Sequence, residues 1–311
     1  MTDIDSARTF WDNEIVDPTH TPWMAHPLVR THLNRAFDPE QPAWPIEWFA
    51  RYVDHRRFRR ALSIGCGAGA LERSLIDCDV CTVVDAFDAS VHSLYLARKE
   101  SLARKMGNRI RYFAADFNEA LFLPRHTYDI VFFHQSLHHV AKLEKLLRAV
   151  LLTLKPGGLL YLDEYIGPSR SDWTEALLEP QEREYARIPR ELRKSDRLAL
   201  PIQEDDPSEA IRSGEIMEQL RVGFDLVEQR DYGGNLLAVV YPNLQQADDQ
   251  TVASMIGREQ ELLRGGAPSF YTVLVATPKT GPAGTLASLQ YFAAPKLKRI
   301  AREVRRRIGR A

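Results

Sequence analysis

From about residue 60 onward, short apolar runs bounded by turn residues alternate with segments that have helical periodicity. This alternation is typical of βαβ units, in which helices cover both faces of a parallel sheet. The runs that we predict as strands cover residues 60–64, 81–85, 109–113, 128–133, 158–162, 224–230 and 269–276. The sequence therefore predicts an α/β fold with a mostly parallel sheet of seven strands and helices on both faces.

Other segments surround and interrupt this alternating region. Residues 1–58 are rich in Trp, His, Pro and charge and contain short amphipathic stretches, which predicts a helical cap. Residues 59–278 form the predicted sheet domain, with long additions at about 166–222 and 232–268. Long additions at the ends of strands usually serve as lids or determine specificity, because a compact core has no room for them. We expect both additions to be such lids.

Residues 279–311 form a tail of different character. Its last part, residues 290–311, carries eight basic side chains and one acidic side chain. Apolar residues recur among them at helical spacing, so we predict a basic amphipathic helix. Two interpretations stay open: a solvated helix that packs on the domain or on the partner of a homodimer, or a helix that contacts an anionic membrane.

Charge balance and apolar content exclude several classes of protein. The 41 basic and 42 acidic side chains give a formal net charge of -1, so no global field attracts nucleic acid. No run of about 18 apolar residues and no pattern of a secretory signal is visible, so we expect a cytoplasmic location. Among the three cysteines, Cys78 and Cys81 form a C-x-x-C, but no second pair completes a zinc site. We expect free thiols, buried or half-buried.

A glycine-rich segment, SIGCGAG, coincides with the end of the first predicted strand and the turn after it. Glycines at such a turn let the backbone approach a ligand, whose polar groups then meet the amides of the next helix. Gly65, Gly67 and Ala70 fit the dinucleotide pattern G-x-G-x-x-G/A. Gly65, Gly67 and Gly69 fit G-x-G-x-G, the loop of methyltransferases that use S-adenosylmethionine. The glycine spacing alone leaves both alternatives open.

Acidic residues follow the second and third predicted strands. Asp88 lies just beyond the second apolar run, where a carboxylate can accept hydrogen bonds from both hydroxyls of a ribose. We favour it over Asp85 because Asp88 and Ser90 are capping residues that open the next helix. Asp116 and Phe117 follow the third strand, and an acid beside an aromatic ring suits an adenine base.

Five segments, in order and in register, resemble the class I, Rossmann-like methyltransferases that use S-adenosylmethionine. They are SIGCGAG, VDAFDAS, AADF, YDIVFFHQSLHHV and LKPGGLLYLDE. The resemblance implies a Rossmann-like fold, S-adenosylmethionine as cofactor and S-adenosylhomocysteine as product. It implies cofactor contacts for the glycine loop and for residues at the strand ends, namely Gly65, Cys66, Gly67, Gly69, Asp88, Asp116, Phe117 and His134. In the family, the position of His134 borders the methionine moiety and the methyl group.

Methyl transfer needs mainly in-line positioning, and a base only where the acceptor must lose a proton. Candidate bases follow the fourth and fifth strands, where the family keeps its active site: the histidines of HQSLHHV, and Asp163, Glu164 and Tyr165. We predict His138, whose position faces the acceptor in relatives, and Glu164, as a base or as a partner that orients the acceptor. A metal-assisted variant would use Asp163, Glu164 and His138, but no ligand spacing demands it, so we predict no metal.

Two later segments, DEYIGPSR and DPSEAIRS, resemble a subgroup of bacterial methyltransferases from glycan and natural-product pathways. This resemblance implies methylation of a hydroxyl oxygen, with help from a base, on a small molecule or a saccharide. The alternatives are methylation of nitrogen or carbon in a natural-product intermediate, and a partner protein that binds S-adenosylmethionine without turnover. Nucleic acid is disfavoured because no N-P-P-Y-like motif follows the fourth strand.

Overall fold

The computed structural model describes residues 22–118, 123–199, 201 and 206–282. Its centre is one seven-stranded sheet with the order β3-β2-β1-β4-β5-β7-β6. The strands are β1 (Phe58–Ile64), β2 (Cys81–Asp88), β3 (Ile110–Ala114), β4 (Tyr128–His134), β5 (Leu154–Tyr165), β6 (Phe224–Gly233) and β7 (Tyr271–Pro278). Neighbours from β3 to β5 are parallel, and β7 is antiparallel to both β5 and β6. The predicted α/β, Rossmann-like fold with a mostly parallel sheet is confirmed.

Helices lie on both sides of the sheet. The α-helices are α1 (Pro27–Phe37), α2 (Pro45–Tyr52), α3 (Ala70–Asp77), α4 (Val91–Ala103), α5 (Leu143–Thr153), α6 (Glu175–Ala186), α7 (Ile216–Gly223), α8 (Leu237–Val240) and α9 (Asp249–Arg264). Short 3-10 turns cover Trp23–Ala25, Leu137–His139, Arg190–Leu192, Ser213–Glu215 and Tyr241–Asn243. The first turn of α4 is capped as its sequence predicts, since the Ser90 hydroxyl accepts a hydrogen bond from Ser93 N at 3.0 Å.

Alternation along β4 and β5 sends side chains to two faces of the sheet, because successive residues of a strand point in opposite directions. On the cap face, Phe132 and Tyr161 contact Phe49 of α2, with ring centroids 6.0 and 4.8 Å from the Phe49 ring. On the opposite face, which we call the α5 face, Phe133 and Leu162 join a separate apolar cluster with residues of α5 and α7. Burial of a ring such as Phe49 contributes about 1.5–3 kcal/mol, so this contact fixes α2 over β4 and β5.

The first inserted segment differs from the sequence prediction in one place. The sequence of residues 208–220, SEAIRSGEIMEQL, is helix-like, but the structure has turns after Asp206, and α7 begins only at Ile216. The Asp206 carboxylate accepts hydrogen bonds from Ser208 N at 2.8 Å and Ser208 Oγ at 2.6 Å. Such a turn gives the backbone an alternative to helical hydrogen bonds, which explains the late start of α7.

The fifth strand also begins earlier than predicted. β5 starts at Leu154, which pairs with Tyr128, and the register between β4 and β5 shifts before Leu159 pairs with Ile130. Gly157 has a φ of +72° within this irregular part. A glycine is needed there because that backbone conformation is strained for other residues.

Two predicted parts fall wholly or partly outside the described residues. Residues 1–21 of the predicted cap and residues 283–311 of the predicted basic tail are outside, so the tail and its two interpretations stay predictions. Among the helices that the structure describes, none has the length and apolar composition needed to cross a bilayer.

Candidate active site

The three glycines of the SIGCGAG loop all have positive φ: +74° at Gly65, +49° at Gly67 and +78° at Gly69. A Cβ at Gly65 would lie 2.3 Å from the Cβ of Ser136, so only glycine lets this loop approach the segment after β4. A Cβ at Gly67 would meet no atom within 4 Å. The loop is therefore packed on one side and open on the other, which is the shape expected where a ligand approaches a backbone.

The structure places Asp88, and not Asp85, at this loop. Asp88 Oδ2 accepts a hydrogen bond from Gly67 N at 2.7 Å, and Oδ1 accepts one from Ser90 N at 2.8 Å. Asp85 is buried in the sheet, where it accepts hydrogen bonds from Arg60 and Tyr128. The Asp85 carboxylate thus holds strands together, and Asp88 is the acid that adjoins the glycine loop.

The other predicted cofactor residues lie at the same sheet edge. Asp116 Oδ1 accepts a hydrogen bond from Asn118 N at 2.7 Å, which holds the turn after β3. The Phe117 ring is 3.7 Å from the position of a Cβ at Gly65, so it borders the glycine loop. The Cys66 thiol is half-buried, and burial raises its pKa, so it is a neutral group within the loop.

The cysteines outside the loop have no described role at the site. Cys78 is half-buried and Cys81 is buried, and both are free. Burial raises the pKa of both thiols, which makes them poor nucleophiles and poor metal ligands. The expectation of free, buried or half-buried thiols is confirmed.

A cavity of about 250 Å³ lies between the cap helices and the carboxyl ends of β4 and β5. Residues of α1, α2 and the first two turns of α3 form its walls, and Asp163 and Tyr232 line it from the sheet. Because α3 begins directly after Gly69, the cavity adjoins the glycine loop. Arg30 lines it from α1, with its guanidinium 4.0 Å above the centre of the Trp44 ring.

Asp163 is the buried acid of this cavity. Its Oδ1 accepts a hydrogen bond from Tyr232 Oη at 2.6 Å and a longer one from Gln135 Nε2 at 3.4 Å. His134, whose side chain is 46% exposed, places Nε2 3.6 Å from Asp163 Oδ2. Burial raises the pKa of Asp163 above the usual range of an aspartate, although Tyr232 and His134 act in the opposite direction. A carboxylate with a raised pKa beside a cavity has the properties of a general base.

Glu164 points to the opposite face and is fully buried. Its Oε2 accepts hydrogen bonds from Ser136 N at 2.9 Å and Leu137 N at 2.6 Å. Its Oε1 accepts from Tyr165 N at 2.9 Å and bonds to the Nδ1 of His138. Groups of the protein itself therefore occupy both carboxylate oxygens of Glu164. This carboxylate orients the turn after β4 rather than taking a proton from an acceptor. This geometry differs from the predicted role of Glu164 as a base.

His138 is buried between two carboxylates. Its Nδ1 faces Glu164, and its Nε2 lies 3.5 Å from Glu209 Oε2. Burial disfavours the charged ring, but the charges of Glu164 and Glu209 outweigh burial and raise the pKa of His138 to about 10. At neutral pH the ring is therefore charged, with a proton on both nitrogens. A general base must have a free nitrogen to accept a proton, so this state does not fit the base predicted at His138.

Glu209, Tyr232 and Arg30 are absent from the site that the sequence predicts, and Asp163 is there only one of several candidate bases. Alternation along β5 distinguishes Asp163 from Glu164, because the buried Tyr161 and Leu162 already define the two faces. Glu209 and Tyr232 come from distant segments, and no local pattern places them beside β4 and β5.

Comparison with known proteins finds relatives of the part of the chain that holds the glycine loop. Residues 62–162 match the family model described as "Methyltransferase domain". The chain is 29% identical over 135 residues to a ubiquinone biosynthesis O-methyltransferase of Bordetella avium. The match covers 41% of this chain and 54% of that protein. It is 24% identical over 204 residues to a sterol 24-C-methyltransferase of Schizosaccharomyces pombe. That match covers 64% of this chain and 50% of that protein. The chain thus spans about half the length of these curated relatives.

Two solved structures have a similar fold. One is phosphoethanolamine N-methyltransferase 2 of Haemonchus contortus in complex with S-adenosyl-L-methionine, with a TM-score of 0.51, 16% identity, and coverage of 88% of this chain and 60% of that chain. The other is geranyl diphosphate C-methyltransferase from Streptomyces coelicolor, with a TM-score of 0.55 and 12% identity. It covers 90% of this chain and 99% of that chain. Identities this low show the fold alone.

Residues 62–162 therefore match a methyltransferase domain, and the sheet around them has the Rossmann-like fold of the two solved structures. The residues present fit S-adenosylmethionine, the cofactor that the sequence resemblance implies. The glycine loop is open at Gly67, Asp88 accepts a hydrogen bond from Gly67 N, and the turn of Asp116 follows the neighbouring strand. The relatives methylate different kinds of acceptor, so the predicted glycan and natural-product subgroup is not distinguished by them.

Proposed function

We propose that the protein transfers the methyl group of S-adenosylmethionine to a small-molecule or saccharide acceptor, at a hydroxyl oxygen. One observation carries the proposal: a cavity that contains a buried acid of raised pKa, Asp163, adjoins the glycine loop of the cofactor site. The match of residues 62–162 to a methyltransferase domain supports the reaction type.

On the cofactor side, the proposed contacts divide along the sheet edge. The backbone of the glycine loop faces the methionine part, Asp88 holds the ribose, and Asp116 with Phe117 borders the adenine. His134 at the end of β4, with its Nε2 3.6 Å from Asp163 Oδ2, borders the methionine part and the methyl group. Together with Gly65, Cys66, Gly67 and Gly69, these residues form the complete proposed cofactor set.

On the acceptor side, Asp163 is the proposed base. When bound, S-adenosylmethionine supplies a methyl group already activated by the sulfonium. The Tyr232 hydroxyl holds Asp163 Oδ1 at 2.6 Å, which leaves Oδ2 as the oxygen that receives the acceptor proton. As the acceptor oxygen takes the methyl group, the S–CH3 bond would break and S-adenosylhomocysteine would leave. The O–H proton would pass to Oδ2 of Asp163, so the sulfonium charge and the carboxylate charge disappear together.

The acceptor class follows from the walls of the cavity. Phe37, Trp44 and Tyr161 give it aromatic surfaces, and Arg30 and Asp163 provide opposite charges. A volume of about 250 Å³ suits one ring or one sugar residue, not a polymer segment. Apolar faces with few polar groups favour an acceptor that has a ring and at least one hydroxyl.

The test has two stages. Calorimetric titration of the full chain with S-adenosylmethionine, S-adenosylhomocysteine and NAD(H) should show binding of the first two only. Hydroxylated acceptors are then screened with S-adenosylmethionine labelled at the methyl group, and the product is analysed for the methylated atom. Binding of NAD(H) alone would contradict the proposal, and a product methylated at nitrogen or carbon would replace its oxygen assignment. Cofactor binding without turnover of any acceptor would favour a non-catalytic partner protein.

A further inference from the structure

Three side chains on the α5 side of the sheet edge place potential metal-ligand atoms close together. His138 and His139 follow β4, Glu209 lies in the inserted segment, and one ligand atom from each lies within 4.8 Å of the others. The Nε2 atoms of His138 and His139 lie 3.5 and 3.6 Å from the same atom, Oε2 of Glu209. Tetrahedral zinc with bonds of about 2.0–2.1 Å holds its ligand atoms about 3.3 Å apart, so both distances to Glu209 Oε2 are close to those of a zinc site.

The second nitrogen of each ring has a partner of the kind that metal-binding histidines use. His138 Nδ1 bonds to Glu164 Oε1, and His139 Nδ1 lies 3.1 Å from Ser208 Oγ. The Ser208 hydroxyl in turn donates to Asp206 Oδ1 at 2.6 Å. Metal-bound imidazoles usually donate their other N–H to a carboxylate or a hydroxyl, which fixes the ring orientation. Both rings therefore direct Nε2 towards Glu209.

The cluster also concentrates negative charge away from water. Glu164 and Asp206 are fully buried, and Glu209 is largely enclosed, with a side chain that is 29% exposed. Asp206 Oδ2 has no hydrogen-bond partner among the described residues and lies 3.6 Å from His139 Nδ1. Buried charges are costly unless other charges compensate them. A divalent cation compensates two carboxylates where a single proton compensates one.

We propose that His138, His139 and Glu209 bind one divalent ion of the zinc type. Two imidazoles and one carboxylate are a common zinc ligand set, and they leave a fourth position for water or for an oxygen of a ligand. The ion would join the inserted segment around Glu209 to the turn after β4. The proposal replaces the sequence prediction of no metal, and it stands whether or not the proposed methyl transfer is correct.

The experiment uses the full chain after treatment with a chelator. Titration with zinc chloride in a calorimeter is expected to give one ion per chain, and cobalt chloride is expected to give the intense visible absorption of a tetrahedral site. Glu209→Gln is expected to weaken zinc binding at least about tenfold, because loss of a ligand removes more affinity than loss of an outer partner. Glu218→Gln, at an exposed position on α7, is the matched control and should bind zinc like the unchanged chain.

Two outcomes would overturn the proposal. One is the absence of stoichiometric zinc or cobalt binding by the unchanged chain, which needs no variant to fold. The other is equal zinc affinity in Glu209→Gln, His139→Gln and the unchanged chain, which would place the ion elsewhere. Titration of the metal-free protein with S-adenosylhomocysteine confirms that each variant is folded. It also separates a failure of the metal site from a failure of the cofactor assignment.

Discussion

The carboxyl edge of the sheet has two halves that are built in different ways. At β1 to β3, backbone N–H groups hold the acid at the strand end, as Gly67 N, 21 residues away, and Ser90 N, two residues away, hold Asp88. At β4 and β5, side chains from distant segments hold the polar side chains: Tyr232 is 69 residues from Asp163, and Ser208 is 69 residues from His139. In the proposed function the first half meets a constant cofactor, while the second depends on inserted segments, so acceptor specificity could change without disturbing the glycine loop.

The largest expected effect tests whether the two halves have separate tasks. Asp163→Asn removes the proposed base but keeps an oxygen that can accept the hydrogen bond from Tyr232. Loss of a general base reduces kcat by about 10²- to 10⁴-fold, which corresponds to about 3–5.5 kcal/mol. The affinity for S-adenosylhomocysteine should change little. Steady-state rates with an acceptor found in the screen, together with calorimetry, measure both quantities.

Asp225→Asn is the control for this change, because it removes a carboxylate from an exposed position on β6. Its rate and its cofactor affinity should match those of the unchanged chain. Should Asp163→Asn weaken S-adenosylhomocysteine binding as much as it lowers the rate, the cavity would belong to the cofactor. The proposed separation of the two halves would then be wrong.

A second prediction separates two acids within the cofactor half. Asp85 is 2% exposed and pairs with Arg60 and Arg111, whose side chains are 39% and 47% exposed. Asp85→Asn should lower the free energy of unfolding by about 2–3 kcal/mol, less than for a fully buried pair, because the two arginines can regain water. Asp88→Asn should instead weaken S-adenosylhomocysteine binding at least about tenfold, as expected for a lost charged hydrogen bond.

Urea unfolding and calorimetry on both variants measure the contrast. The assignment predicts a crossed pattern. Asp85→Asn should lose stability and keep affinity, whereas Asp88→Asn, which keeps only one oxygen for its two backbone N–H partners, should lose more affinity than stability. If Asp85→Asn loses affinity at unchanged stability, the ribose assignment to Asp88 is incorrect.

A third prediction compares two glycines of the same loop. Gly65→Ala brings a Cβ within 2.3 Å of Ser136 Cβ at a φ of +74° and should cost about 2–3 kcal/mol of stability from strain and displacement. Gly67→Ala has no atom within 4 Å and should cost only the strain of its φ, about 1 kcal/mol. Its methyl group points into the space proposed for the cofactor, so affinity should fall. Thermal unfolding with and without S-adenosylhomocysteine checks both; an unchanged affinity in Gly67→Ala would contradict the proposed approach of the ligand.

The same contrast explains how far the sequence could predict the molecule. Strand positions and the glycine loop follow from periodicity and local turn chemistry, and Asp88 was separated from Asp85 by its helix-capping position. The half at β4 and β5 is harder to predict from sequence. Asp163 and Glu164 are adjacent, and only the face of the strand decides which of them lines the cavity. Glu209 reaches His138 through a turn that replaced the expected helix. Contacts of this kind depend on where inserted segments fold, and a local pattern does not encode that.

The smallest expected effect on the rate concerns the hydrogen bond between Tyr232 and Asp163. The Tyr232 hydroxyl lowers the pKa of Asp163 against the larger effect of burial, so Tyr232→Phe should raise this pKa further. Gln135 still reaches the carboxylate, and the base is retained, so the plateau rate should fall less than about tenfold, or about 1.4 kcal/mol. Since Asp163 must be ionised to accept a proton, the acidic limb of kcat/KM should move to higher pH.

Stability gives an independent measure of the same shift, without an acceptor. Because Asp163 has a higher pKa in the folded protein than in the unfolded chain, the folded state binds more protons between the two values. The free energy of unfolding contributed by Asp163 therefore falls as the pH rises through its folded pKa, and Tyr232→Phe should extend that fall to higher pH. Asp163→Asn should remove this component of the pH dependence. An identical pH profile in Tyr232→Phe and the unchanged chain would show that another group, and not Asp163, titrates in the cavity.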